Sequence, residues 1–244
     1  MRNFVFLTAL CATALLMAAE DGWKVTEEVS VNGSRVIKHS YFNEQYIKVV
    51  NQADTGSNET IIDIANDKIT LINHFQKSYQ VSKLSDYIKF AEGIANGLKN
   101  GGYVNPQKIE PKVVFEKKGP EKVGAWDALH YVVKVDGKEY QEIWVAPALK
   151  TSPVLEFRKK YAALLPETLV KYRALDEKIK DQAAAEGMIV RMVKIPINKK
   201  LPKIDQTMTE VVKFDITPAL LTVPKDYLDK TIVQAAPAQT PAKQ

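Results

Sequence analysis

The sequence predicts an α+β domain in which a strongly curved antiparallel sheet, an incomplete β-barrel, is covered by amphipathic helices. Three observations predict it: alternating apolar segments joined by tight turns, two longer stretches with helical spacing, and an ordinary globular composition. Of 244 residues, 45% are hydrophobic and 26% are charged, which excludes collagen-like and wholly disordered chains. We expect a single domain over residues 20–233, between a signal peptide at 1–19 and a disordered Ala/Pro/Gln tail at 234–244.

The N-terminus has the features of a secretory signal peptide. An apolar run from Phe4 to Met17 follows Arg2, and small residues at Ala18-Ala19 precede a polar stretch. At about 14 residues, the run is shorter than the roughly 17–25 needed to cross a bilayer. We therefore expect a periplasmic or secreted protein with no transmembrane segment in the mature chain.

Cys11 is the only cysteine, and it lies inside the predicted signal. The mature chain is then expected to lack disulfides, thiolate catalysis and Cys-ligated metal sites. Lipidation of Cys11 is the alternative interpretation, and the bulky Leu10 that precedes it disfavours that chemistry.

The first half predicts a β-meander. Asn32-Gly33 separates the alternating segments Trp23–Val31 and Ser34–Phe42, which is a strong hairpin signal. A two-residue loop fixes two facing pairs on one side of this hairpin: Val29 with Val36, and Glu27 with Lys38. A further strand is expected at Gln45–Val50.

A second hairpin is predicted around the turn Asn66-Asp67. A two-residue loop there pairs apolar residues on one face: Ile64 with Ile69, and Ile62 with Leu71. Another strand is expected at Ser78–Ser82.

Helical spacing appears twice. Leu84–Leu98 carries apolar residues at intervals of three and four, and Asn100-Gly101-Gly102 ends it. Pro153–Glu186 shows two apolar stripes interrupted at Pro166, with a stop at Gly187. Between these segments, a strand at Lys112–Lys117 is expected to break at Gly119-Pro120.

The clearest hairpin signal is Asp136-Gly137, between Asp127–Val135 and Lys138–Ala146. The two-residue loop predicts three facing pairs: Lys134 with Glu139, Val133 with Tyr140, and Leu129 with Trp144. Two final strands are predicted at Met188–Ile195 and Thr207–Phe214.

Aromatic and apolar residues of this hairpin and of the following helical stretch are the candidate lining of a ligand cavity between sheet and helices. The candidates are Leu129, Tyr131, Tyr140 and Trp144 on the hairpin, and Val154, Phe157, Tyr161 and Leu164 on the helical stretch. Core packing alone is the alternative explanation for the same residues.

No catalytic motif is found, so an enzyme is not expected. His39, His74 and His130 are too far apart in sequence to form a local metal-ligand pair, and no nucleophile elbow or phosphate-binding loop occurs. We therefore expect no metal or cofactor. Basic clusters interleave with acids, which gives no basis for nucleic-acid binding. Arg158–Lys160 is expected on a solvated helix face, with contact to anionic lipid headgroups as the alternative.

The order of elements resembles the periplasmic lipoprotein-carrier superfamily of LolA- and LolB-like proteins, and a family of uncharacterised exported bacterial proteins of similar design. Three segments carry the resemblance: Ile61–His74 followed by Lys77–Tyr79, Ala125–Val133 running to Glu142–Ala146, and Val223–Tyr227. The resemblance implies an incomplete barrel with a helical lid over an interior that holds acyl chains. The carriers use an arginine on an early strand to hold the lid closed, whereas the corresponding stretch Asn43–Val50 carries Lys48 and no arginine.

Two functions from different classes follow. The first is an exported envelope protein that binds a lipid or other hydrophobic ligand in a half-barrel cavity, in the manner of a lipid or lipoprotein carrier. The alternative is a non-enzymatic structural or protein-interaction module of the cell envelope, with a packed core and no ligand. The volume between sheet and helices separates the two, because only the first requires a cavity.

Overall fold

The computed structural model describes residues 20–100, 111–163, 174–195 and 202–231. The predicted signal peptide, the predicted tail and residues 164–173 of the second helical stretch lie outside these ranges. Twelve strands are present in the described chain: β1 (Glu20–Val31), β2 (Ser34–Phe42), β3 (Tyr46–Ala53), β4 (Gly56–Asp63), β5 (Lys68–Asn73), β6 (Ser78–Lys83), β7 (Val113–Val123), β8 (Trp126–Val135), β9 (Lys138–Ala146), β10 (Met188–Lys194), β11 (Ile204–Ile216) and β12 (Leu228–Asp229). The helices of the same ranges are α1 (Leu84–Asn100), α2 (Pro153–Ala163) and α3 (Ala174–Ala184), with short 3₁₀ turns at Pro147–Leu149 and Pro218–Leu221.

All twelve strands belong to one sheet, in the order β12-β6-β5-β4-β3-β2-β1-β11-β10-β9-β8-β7. Two sequential meanders, β1 to β6 and β7 to β10, are joined by β11, which lies between β1 and β10. Every pairing is antiparallel except that of β12 with β6. The sheet is therefore mixed.

The predicted fold class, an α+β incomplete barrel covered by helices, is wrong. More than half of the described residues lie in strands, against three helices in the same ranges, and the single twelve-stranded sheet is not closed. Strands are longer and more numerous than their sequence signals indicate. β7, for example, continues through Gly119-Pro120 with a bulge between Lys117 and Gly119. Proline is tolerated there because β7 is an edge strand, where a missing N–H removes no ladder bond.

The register predicted for the first hairpin is confirmed. Val29 faces Val36 and Glu27 faces Lys38. Asn32 and Gly33 have φ of 50° and 87°, the left-handed backbone that a tight hairpin turn requires.

The register predicted for the second hairpin is wrong by two residues. Ile62 faces Ile69, so four residues form the turn instead of two. The Asp63 side chain stabilises this longer turn, because its Oδ1 accepts a hydrogen bond from the Asn66 backbone N–H at 3.1 Å. A shift of two leaves each side chain on the same face, so the apolar face survives the error.

The register predicted between β8 and β9 holds only beside the turn. Lys134 faces Glu139, but a bulge follows, so that Val133 faces Gln141. Further along, Leu129 faces Val145 and Trp144 faces His130, instead of each other. Trp144 and Tyr131 consequently lie on opposite faces of the sheet, because a shift of one residue reverses the face.

Two hydrophobic clusters form the core. One joins strands of both meanders to α1 and α2, through buried residues such as Phe42, Ile62 and Val154. The other packs α3 against β8 and β9, with Ile179 against a row that includes Ile143 and Val145. Burial of these faces is the main source of stability.

The segment Pro218–Thr231, called here the C-terminal strap, lies against the face of β3 to β6 opposite the helices. Lys48 on β3 donates a hydrogen bond to the Leu220 carbonyl at 2.8 Å, and the Tyr227 hydroxyl lies 2.6 Å from His74 Nδ1. Leu228 and Asp229 then pair with β6 as β12. The strap is thus fixed to β3, to β6 and to the turn between β5 and β6.

Candidate ligand-binding cavity

A cavity of about 950 Å³ lies between one face of the sheet and residues of all three described helices. Strands β1 to β5 and β9 to β11 supply its floor, and α1, α2 and α3 supply its other walls. This volume falls within the roughly 300–1,000 Å³ that small-molecule sites occupy in proteins.

The floor of the cavity is ordered in three rows that run across β1 to β5. The strand register aligns each row: an apolar row of Phe42, Ile47, Ile62 and Ile69, a mixed row of Val25, Ser40, Val49 and Thr60, and a polar row of Glu27, Lys38 and Asn51. The cavity floor therefore changes from apolar to polar along the strand direction.

The helices extend the apolar part of the lining. Phe157 on α2 stacks on Phe42, with ring centroids 3.8 Å apart and planes inclined by 14°. Val154, one turn earlier on α2, is buried against the same cluster, as is Leu84 at the start of α1. These contacts follow from the i, i+3 spacing of apolar residues on an amphipathic helix.

An ion cluster forms around one buried carboxylate of the polar row. The Glu27 carboxylate, with only 5% of its side chain exposed, accepts from Lys38 Nζ at 3.0 Å, Arg158 Nη2 at 2.8 Å and Gln206 Nε2 at 2.8 Å. Burial by itself raises the pKa of Glu27. The charges of Arg158 and Lys38, with hydrogen bonds from Lys38 and Gln206, outweigh burial and lower that pKa to about 2.

The α3 side of the cavity holds further polar contacts. Lys194 Nζ lies 2.6 Å from Asp176 Oδ2, and Asp176 also accepts a hydrogen bond from the Tyr140 hydroxyl at 2.9 Å. Glu177 and Lys180, also in the lining, pair at 2.7 Å on α3. Asp176, Glu177, Lys180 and Lys194 thus have partners within the protein.

Two of the eight predicted lining residues, Val154 and Phe157, line the cavity. The four hairpin candidates are not among the lining residues: Leu129, Tyr131, Tyr140 and Trp144. Tyr161 lies in α2, but its side chain is outside the described set, and Leu164 lies outside the described residues.

The four hairpin residues have other partners. The Tyr131 hydroxyl donates a hydrogen bond to Glu186, and burial together with that contact raises the pKa of Tyr131 to about 12. The Trp144 indole stacks on the His130 ring, with ring centroids 4.3 Å apart, and the Arg191 Cζ lies 4.7 Å from the indole centroid. These residues therefore contribute to packing around β8 to β10.

Arg158, predicted on a solvated helix face, keeps 38% of its side chain exposed while its guanidinium pairs with the buried Glu27. The side chains of Lys159 and Lys160, included in that prediction, lie outside the described set. The sequence contained one signal for this cluster: Glu27 alternates with Val25 and Val29, so it lies on the same face of β1 as these two apolar residues. A carboxylate on such a face needs charged or hydrogen-bonding partners.

Lys48, the basic residue of the stretch Asn43–Val50, is not among the residues that line the cavity. Its Nζ lies 2.6 Å from the Glu59 carboxylate, and His74 Nε2 lies 2.9 Å from the same group. Both belong to the face beneath the C-terminal strap. Lys48 therefore fixes the strap to the sheet.

Within the ranges that the structure describes, no three His, Cys, Asp or Glu side chains are arranged to hold a metal ion. The same ranges contain no helix with the length and apolarity needed to span a membrane. The expectations of no metal, no cofactor and no enzymatic activity stay predictions.

No family model matches the chain, and no curated protein matches it. Among solved structures, it is similar to an uncharacterised conserved protein from Thermus thermophilus, with 12% identity, a TM-score of 0.45 and coverage of 86% of this chain and 90% of that one. It is also similar to PNGF-II (10% identity, TM-score 0.33, 87% and 31% of the two chains) and to the Pseudomonas aeruginosa MucA/MucB complex (11%, 0.39, 90% and 62%). Because every TM-score is below 0.5, no function is transferred from these proteins, and the LolA-like resemblance depends on sequence pattern alone.

Proposed function

We propose that the chain is an exported envelope protein that binds a lipid or other hydrophobic ligand in the cavity between the sheet and its helices. The observation that carries the proposal is the cavity itself, about 950 Å³ with a continuous apolar row on its floor. A packed core with no ligand would leave no such space, because protein interiors contain few voids larger than a water molecule. Export is supported by the signal-like residues 1–19.

The three rows suit a ligand with one apolar end and one polar end. An acyl chain along Phe42, Ile62 and Ile69 would exchange water for apolar contacts, at about 0.8 kcal/mol for each methylene buried. The ligand's head would then lie toward Glu27 and Lys38. Carriage of lipids or lipoproteins between membranes is the specific form of this function that the LolA-like resemblance favours.

The interaction-module alternative has one observation in its favour. Phe90 and Ile94 on α1 are 65% and 51% exposed, and Phe75 is 81% exposed. Exposed apolar side chains of this size mark contact surfaces when they cluster. Ligand binding in the cavity separates the two functions, because an interaction module requires none.

The test is titration of the exported chain with saturated amphiphiles of 8 to 16 carbons. We expect one ligand per protein, with affinity rising roughly tenfold for every two methylenes until the cavity is filled. The result that would overturn the proposal is an absence of saturable binding at every chain length.

A matched pair of variants locates the site. Val49→Trp places a large ring in the cavity from the middle row, whereas Gln52→Trp places one on the exposed, opposite face of the same strand. We expect Val49→Trp to weaken binding at least tenfold and Gln52→Trp to leave it unchanged. Thermal melting of both variants verifies that each is folded, and equal binding by both would place the ligand elsewhere.

A further inference from the structure

One buried polar atom in the cavity lacks a partner. Gln141 on β9 lines the cavity and is 2% exposed, and its side-chain carbonyl oxygen, Oε1, accepts no hydrogen bond from any described residue. Such a group costs about 1–3 kcal/mol relative to a satisfied one, and buried side-chain oxygens are nearly always bonded. The oxygen is fully buried, so a ligand donor reaches it when the Gln141 amide turns its oxygen toward the cavity, and the bond formed there would remove that cost.

Gln141 lies at the polar end of the cavity. It faces Lys194 across β9 and β10, and Met192, two residues away on the same face, faces Gln206 on β11. Gln206 in turn donates to Glu27. The unpartnered oxygen is therefore on the same face as the polar row, separated from Gln206 by one strand.

The charges around this end balance without a ligand. Four carboxylates and five cations line the cavity. The fifth cation, Arg191, is held by two hydrogen bonds to Asp205, at 3.2 and 2.9 Å, and Asp205 is not a lining residue. The remaining four positive and four negative charges cancel, so no net charge attracts an ionic head.

We propose that the cavity selects amphiphiles whose uncharged head carries a hydrogen-bond donor, a hydroxyl or an amide N–H, which bonds to Gln141 Oε1. This inference rests on the proposed function and specifies its ligand class. The acyl tail lies along the apolar row, and the head reaches between Gln206 and Lys194 to Gln141. Free fatty acids, which are anions at neutral pH, are the poorer ligands of equal chain length.

The test compares three 14-carbon probes by calorimetric titration of the whole exported chain at pH 8. The probes are 1-tetradecanol, its methyl ether and myristate, which have tails of equal length. The head of the alcohol offers a hydrogen-bond donor, that of the ether offers an acceptor only, and that of myristate carries a negative charge. We expect the alcohol to bind about tenfold more tightly than the ether, because only the alcohol satisfies Oε1. Myristate should bind more weakly than the alcohol.

Gln141→Met keeps the side-chain length and removes the acceptor. This variant should weaken the binding of the alcohol alone, so that the ratio of alcohol affinity to ether affinity falls close to one. The control Gln52→Met, on an exposed residue of β3, should keep the affinity ratio of the parent protein. We expect Gln141→Met to melt at the parent temperature or above, since it removes an unsatisfied buried group. If it does not fold, the alcohol-to-ether ratio of the parent protein decides alone.

The outcomes separate the two proposals. If none of the three probes binds, the proposed function itself fails. If all three bind equally, or if myristate binds most tightly, the cavity holds acyl chains but does not recognise a donor, and only the present inference is overturned.

Discussion

The hairpins β1–β2 and β8–β9 have the same turn and different registers. Both turns place two residues in the left-handed region, Asn32-Gly33 at φ of 50° and 87° and Asp136-Gly137 at 51° and 80°. The first hairpin stays in register from its turn to Trp23↔Phe42, whereas the second shifts after two pairs. A turn therefore fixes only the pairs beside it.

What each strand buries accounts for the difference. In an unshifted β8–β9 hairpin, Glu142 would face Tyr131 on the side that packs against α3. The bulge moves Glu142 to the opposite face, 3.0 Å from His130, and places Ile143 against Tyr131 instead. The first hairpin keeps its register because its own inward carboxylate, Glu27, is matched by Lys38, Arg158 and Gln206. One hairpin neutralises a carboxylate on its buried face, and the other avoids burying one.

The largest expected effect concerns the shifted hairpin. Trp144 is 5% exposed, stacks on His130 and donates a hydrogen bond to Glu121 at 2.8 Å. We expect Trp144→Ala to lower the free energy of unfolding by about 3–5 kcal/mol, measured by chemical denaturation.

Double-variant cycles sharpen this test of register. Trp144→Ala with His130→Ala should show a coupling of about 1 kcal/mol, since the two rings are in contact, whereas Trp144→Ala with Leu129→Ala should be close to additive. Coupling to Leu129 in place of His130 would mean that the unshifted register is correct.

The next effect concerns the buried carboxylate of the first hairpin. The pKa of Glu27 is about 2 in the folded protein against 4.5 as its ordinary value. A lowered folded pKa contributes stability that is present above pH 4.5 and is lost as the pH falls from there toward 2. We expect Glu27 to account for a loss on the order of 3 kcal/mol over that window, measured by denaturation at successive pH values.

Two variants isolate this contribution. Glu27→Gln should be less stable at neutral pH and should lack the corresponding part of the acid loss. Glu28→Gln, on the adjacent, outward position that pairs with Arg35, should keep the full pH dependence. The interpretation fails if Glu27→Gln and the parent protein lose stability in parallel.

The smallest effect tests whether the two turns are equivalent. A Cβ added at Gly33 or at Gly137 would have no atom within 4 Å. Each Gly→Ala change should therefore lower the free energy of unfolding only by the backbone penalty of a left-handed alanine, about 1–2 kcal/mol. Gly93→Ala, also unobstructed but within α1, should stabilise by up to about 1 kcal/mol. Melting temperatures measure all three, and a much smaller cost at Gly137 would show that the bulge relaxes its turn.

Local signals predicted much of the first meander. Asn-Gly turn chemistry and period-two alternation placed β1, β2 and the Glu27–Lys38 pair correctly. The alternation of the β4–β5 hairpin survived a register error of two residues. These features depend on residues close in sequence, which a local pattern can represent.

The remaining features depend on contacts between distant residues. The bulge places Gln141 opposite Val133 because α3 packs on that face of the hairpin and requires apolar residues there. No pattern within β9 alone specifies this bulge. Helical spacing assigns Arg158 to a polar helix face, because the sequence does not show that a carboxylate on β1 lies opposite. The cavity lining was therefore predicted on α2 and missed on the sheet.

The position of β11 between the two meanders has a consequence for how the chain folds. Strand β1 pairs on one side with β2, the next strand in the chain, and on the other side with β11. The side chains of Thr26 and Glu210 therefore form a hydrogen bond although 184 positions separate them. Local hairpins form faster than pairs between distant residues, so the first meander forms before β11 pairs with β1. Until then the first meander presents a bare β1 edge, a template for pairing with other chains. Protection of this unpaired β1 edge, rather than formation of the first hairpins, is therefore expected to limit the yield of native protein.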